Sequence, residues 1–125
     1  STIEHVHFPK GTDDDTIARV LDRSPQLRKV VLLGVGAAVV ERACVRLTRL
    51  NKLCVLSDSL IRLPDSLCAL RLNSINVESA SLVELPGSFN QLSSLATLTL
   101  SHCESLAALP ESTGQLSSLE KLKLC

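Results

Sequence analysis

The sequence predicts an α/β solenoid of about six stacked units, with a parallel β-sheet lining a concave face and short helices or loops on the convex side. Three observations predict it. The stretch LSSLATLTL at 92–100 returns as LSSLEKLKL at 116–124, a shift of 24 residues. LVELP at 82–86 returns as LAALP at 106–110, again after 24 residues, and LIRLP at 60–64 precedes it by 22. The pattern L-x-x-L-x-L, with aliphatic residues or Phe as anchors, then fits six times in one register, its first anchors standing at 3, 27, 50, 72, 95 and 119. A period of this length marks a repeat architecture, because one short unit cannot bury its own apolar face and must stack on neighbours.

Each unit reads in the same way. Strands are expected near 3–8, 27–32, 50–55, 72–77, 95–100 and 119–124, with alternate anchors inward and the residues between them outward. In the fifth strand Leu98 and Leu100 face the core, and Thr97 and Thr99 face away from it. Leu106 and Leu109 then anchor the return of the chain, Pro110 ends its extended part, and a short polar turn or helix (ESTGQLSS) brings Leu116 inward. The first two returns depart from this pattern. After Phe8, Thr12 or Asp13 caps a helix, Asp14 and Asp15 suit its positive end, and Ile17, Val20 and Leu21 recur at helical spacing. After Leu32, Ala37 and Val40 replace the two leucines, and VERACVRLTR reads as a second helix with Val40, Ala43, Cys44 and Leu47 on one face.

The most faithful unit, LATLTLSHCESL at 95–106, matches L-x-x-L-x-L-x-x-N/C-x-L with Cys103 at the Asn/Cys position. On this motif the chain resembles the leucine-rich repeat family. Its LP-x-S-x-x-x-L-S-S-L phrasing is similar to the intracellular repeats of plant-type nucleotide-binding immune receptors, and it lacks the Gly-x-Ile-Pro phrase of plant cell-surface receptor repeats. The resemblance spans essentially the whole chain, closest over 47–125 and looser over 1–46. It implies a horseshoe-shaped domain with a non-catalytic role in protein–protein or interdomain recognition, as in an intracellular receptor or signalling protein. Asp58 and Ala80 fall near the Asn/Cys position in units that are one residue shorter, so a regular ladder of Asn side chains is not expected.

Composition narrows the function classes. A chain of 125 residues suggests one domain, and 45% hydrophobic with 21% charged residues supports a packed core. Two Phe and no Trp or Tyr argue against nucleic-acid binding by base stacking. Thirteen basic and thirteen acidic residues leave no net field to attract a polyanion or a membrane surface. The longest apolar run, 30–40, is broken by Gly34 and Gly36 and falls well short of the ~20 residues of a spanning helix. Five Cys without a CxxC, and no Asn-x-Ser/Thr, point to reduced thiols and an intracellular, cytoplasmic setting. The chain starts at Ser1 and contains no Met, which reads as a piece of a longer polypeptide.

Several stretches carry reactive side chains. His102, Cys103 and Glu104 are the ingredients of a nucleophilic site. The repeat register turns Cys103 inward, where burial makes a thiol unreactive, and leaves His102 at the rim and Glu104 in solvent, so the three groups diverge. Gly34-x-Gly36 follows a strand, with Asp58 closing the next one, as in a dinucleotide loop, but the third Gly position is Val39 and the same residues fit the repeat. His5 and His7 share one strand face, which suits a metal but equally suits two solvated histidines. Asp13, Asp14 and Asp15 lack the alternation of a calcium loop. No catalytic residue, cofactor or metal is therefore expected.

What remains is the outward face of the strands. The first column reads His5, Lys29, Lys52, Ser74, Thr97, Lys121; the second His7, Val31, Cys54, Asn76, Thr99, Lys123; the third Pro9, Leu33, Leu56, Glu78, Ser101, Cys125. Lys29 and Lys52 flank an apolar group of Val31, Leu33, Cys54 and Leu56, and Lys121 with Lys123 forms a second basic spot. Apolar residues rimmed by charge suit a partner surface. The candidate contact residues are these eight with Asn76, Thr97, Thr99 and His102. The expected partner is a protein or another domain of the same chain. Substrate recruitment for a ubiquitin ligase or bacterial effector, and a structural subunit of a large assembly, stay open as alternatives.

Overall fold

Alternation of side chains builds the sheet. In the computed structural model, which describes residues 5–8, 11–85, 91–106 and 119–124, buried and part-exposed residues alternate along every central strand. The strands are β1 (His5–His7), β2 (Lys29–Leu33), β3 (Lys52–Leu56), β4 (Ser74–Glu78), β5 (Thr97–Ser101) and β6 (Lys121–Leu124). They form one parallel sheet in the order of the chain. Among the described residues two helices, α1 (Asp14–Asp22) and α2 (Ala37–Arg46), and a 3-10 helix (Asp65–Ala69) lie in the connections, giving a mixed α/β architecture. Among the described residues no helix is long and apolar enough to cross a membrane.

Leu27, Leu50 and Leu95 do not open the strands as the pattern suggested. Each closes a tight turn instead, its N–H donating to Ser24 O, Leu47 O and Leu92 O at 3.1–3.2 Å, and hydrogen-bonded pairing begins two residues later. They remain fully buried as turn residues. The register is set just after these turns by one carbonyl per unit that accepts two consecutive amides of the next unit. Arg28 O takes Asn51 and Lys52 N–H, Asn51 O takes Asn73 and Ser74, Asn73 O takes Ala96 and Thr97, and Ala96 O takes Glu120 and Lys121, all at 2.7–3.1 Å.

That register stacks like on like. Val30, Leu53, Ile75 and Leu98 form one buried row, and Leu32, Val55, Val77 and Leu100 a second. Full burial of each such side chain contributes about 1.5–3 kcal/mol. The first row continues to Leu122, but on β6 this residue is 44% exposed.

The first helix forms where its cap and periodicity placed it, while the second, expected over 40–49, starts and ends three residues earlier, at Ala37 and Arg46. Asp13 takes a hydrogen bond from Thr16 N–H at 2.9 Å and starts α1, which buries Ile17 and Leu21. The α2 helix buries Val39, Val40, Ala43 and Cys44, with Leu47 buried at its end. Asp22 of α1 holds Arg42 and Arg46 of α2 at 2.9 and 3.4 Å. The expected return through Leu109, Pro110, ESTGQLSS and Leu116 lies outside the described residues, as do Ile3, Pro9, Pro86 and Cys125.

After each of β2 to β5 one side chain turns inward, and two lengths of turn deliver it. In the short form Ser57 and Ser79 follow Leu56 and Glu78 directly. Ser57 Oγ donates to Val35 O, and Ser79 Oγ to Leu60 O at 2.7 Å. In the long form an extra residue in left-handed conformation intervenes: Gly34 (φ 68°) before Val35, and His102 (φ 52°) before Cys103. Gly tolerates this conformation freely, and His is among the few residues found there with some frequency.

Candidate partner-binding face

Strand pairing brings the outward residues into three columns as the spacing predicted. Lys29 pairs with Lys52, Lys52 with Ser74, Ser74 with Thr97 and Thr97 with Lys121. Val31, Cys54, Asn76, Thr99 and Lys123 form the second column, and Leu33, Leu56, Glu78 and Ser101 the third. His5 and His7 pair with Lys29 and Val31 at the backbone of β1, which puts both histidines in the first two columns. Pro9 and Cys125, assigned to the third column, lie outside the described residues.

Burial divides this face. Val31, Leu33, Cys54, Leu56, Thr97 and Thr99 are half-buried, their neighbours in the sheet covering their flanks. Lys29, Lys52, Asn76, Lys121 and Lys123 are exposed. The two basic spots are separate: β4 and β5 stand between Lys52 and Lys121, carrying Ser74, Asn76, Thr97 and Thr99.

Two depressions open on the β2–β4 part of the face. One, of about 410 Å³, is lined at the strand starts by Lys29, Val31, Lys52, Cys54, Asn73, Ser74, Asn76 and Thr97, with Leu53 at its floor. The other, of about 310 Å³, lies at the strand ends among Leu33, Gly34, Leu56, Ser57, Asp58 and Glu78. Spacing alone did not assign Asn73 to the face, and it placed Asp58 near the Asn/Cys position and not on the face, because both sit just outside the strands; the signal that finds them is their place one residue before β4 and two after β3.

The electrostatics of the face follow from these positions. Burial pushes the Cys54 thiol above its ordinary range; the nearby Lys29 ammonium pulls it down and Glu78 pushes it up, both by less. Cys54 is thus a neutral, weakly polar part of the apolar strip. His102 Nε2 stands 3.6 Å from Glu78 Oε1, so the rim histidine and the end of β4 face one another. Among the described residues neither Lys29 nor Lys52 makes an ion pair.

The reactive stretches resolve as follows. Cys103 is half-buried rather than fully buried, with Sγ 3.5 Å from Ser101 O and 3.7 Å from Val77 O, while His102 and Glu104 are exposed. The left-handed bend at His102 adds the residue that carries its imidazole outward and Cys103 inward. Gly34 N–H donates to Leu56 O at 2.7 Å and Val35 is fully buried, so this loop joins the end of β2 to the end of β3. Among the described residues no three His, Cys, Asp or Glu side chains converge as metal ligands would. Compared with known proteins, the chain matches no family model and no curated protein.

Proposed function

We propose that the chain is a stack of leucine-rich repeats, curved as a solenoid, whose concave sheet face recognises another protein or another domain of the same chain without catalysis. Its place is the repeat region of an intracellular receptor or signalling protein. The observation that carries this reading is the face itself: β2 and β3, in direct register, present a half-buried apolar strip, Val31, Leu33, Cys54 and Leu56, bordered by exposed Lys29 and Lys52. A rigid apolar strip with a charged rim is the anatomy of an interface core and rim. The sequential parallel order and the buried rows of Leu, Ile and Val support the repeat reading, since each unit buries its apolar side against the next. Replacing Leu56 by Glu tests it. The expected outcome is loss of partner capture with an unchanged far-UV circular dichroism spectrum; capture that persists at wild-type strength retires the face as the recognition surface.

A further inference from the structure

The face carries opposite charge at its two ends. The parallel strands β2 to β5 run from the first column to the third. Where β2 and β3 begin, exposed Lys29 and Lys52 stand in direct register. Like charges directly opposite across two strands are unfavourable, so this pair gains from an anion laid between them. Ser74, Asn76 and Thr97 add hydroxyl and amide groups around the same depression. Where β3 and β4 end, Asp58 and Glu78 line the second depression beside Leu33 and Leu56. Val31 and Cys54 bridge the two as a half-buried apolar strip.

We propose that the ligand of this face is an extended protein segment whose side chains run carboxylate, aliphatic, cation along the strand direction. Its carboxylate lies over Lys29 and Lys52, its aliphatic groups over Val31, Cys54 and Leu56, and its Lys or Arg over Asp58 and Glu78. This rests on the reading of the sheet face as the recognition surface. The geometry fixes the spacing. From Lys29 to Leu33 is four steps of about 3.3 Å, or about 13 Å. An extended ligand rises by about the same amount per residue, so its opposite charges stand about four to six positions apart. A segment of uniform charge is rejected because one of its ends meets a like charge. Lys121 and Lys123 take no part, being three strands from β3, about 14 Å away.

Selection of displayed random octapeptides on the immobilised 125-residue chain tests the proposal. Enriched peptides are expected to carry Asp or Glu at one end, Leu, Ile or Val between, and Lys or Arg at the other. On the Lys29→Glu/Lys52→Glu variant these peptides are expected to lose at least about tenfold in recovery, and a new selection exchanges the acidic end for a basic one. Asp58→Lys/Glu78→Lys does the same at the other end. No enrichment, peptides without this order, or an order indifferent to both reversals overturns the proposal. Leu56→Glu separates the two levels. Binding that survives it overturns the face as the recognition surface, whereas binding lost there yet indifferent to the charge reversals overturns only the polarity.

Discussion

At the residue scale, the thiols of Cys44 and Cys68 face the interior from α2 and the 3-10 helix, each 3% exposed. Burial pushes Cys44 up to about 12, with Cys68 and Glu41 adding to the shift. Burial likewise pushes Cys68 up to about 11, helped by Asp65. An unfolded thiol ionises near ~8.5. Because the folded values are higher, the contribution of these thiols is complete below about pH 8.5 and is lost as the pH rises toward the folded values. The urea midpoint is therefore expected to fall steadily above about pH 9. A Cys44→Ala/Cys68→Ala variant, weaker at neutral pH, should lose less of its own stability over the alkaline range; equal alkaline slopes would contradict the burial of the pair. Other inward residues were harder to read from the sequence. Ser57 and Ser79 were hidden because each sits one position before the expected Asn/Cys site. The missing residue is the left-handed one that units with Gly34 and His102 possess, and no local propensity announces its loss.

At the element scale, α1 depends on one carboxylate. The Asp13 side chain accepts from Thr16 N–H, and hydrogen bonding from the Thr16 side chain, with this N–H second, holds the carboxyl below its usual range. A lowered folded pKa contributes stability above the unfolded value and loses it as the pH falls through the folded one. Asp13→Ala is expected to melt below the wild type at neutral pH, with the two melting temperatures drawing together as acid protonates the carboxyl. Thermal melts followed by circular dichroism across that range check it, and a gap that persists in acid removes the charged cap as its cause. The α1 helix was legible because cap and apolar spacing agree, at Asp13 and at Ile17 and Leu21; α2 was legible from the spacing of Val40, Ala43 and Cys44 alone, and without a side-chain cap to mark its start its bounds were read three residues late. The strand starts were misplaced by two residues because Leu27, Leu50 and Leu95 are buried like strand residues but lie in turns. Burial pattern reports which side chains point inward, not which backbone groups pair.

At the scale of the whole molecule, stability is expected to be graded along the row of inward side chains. Ile75 is fully buried between Leu53 and Leu98, whereas Leu122 closes the same row at 44% exposure. Ile75→Ala should cost about 2–5 kcal/mol in urea unfolding, and Leu122→Ala less than about 1 kcal/mol, as for an exposed position. Similar losses at both sites would mean that the row is not graded. The three columns of the face were legible in the sequence because a period of 22–24 residues and alternation within each strand fix which side chains share a column. The acidic end of the face was legible only in part, because Asp58 lies beside its strand and meets Glu78 only where neighbouring units bring them to a common depression. The paired amides that meet Arg28, Asn51, Asn73 and Ala96 carbonyls are main-chain groups throughout. Each junction therefore asks nothing of the side chain that happens to occupy it. A substitution short of proline at any of these positions leaves the main-chain bonds in place, so the register tolerates changes of side chain that the buried rows between the units do not.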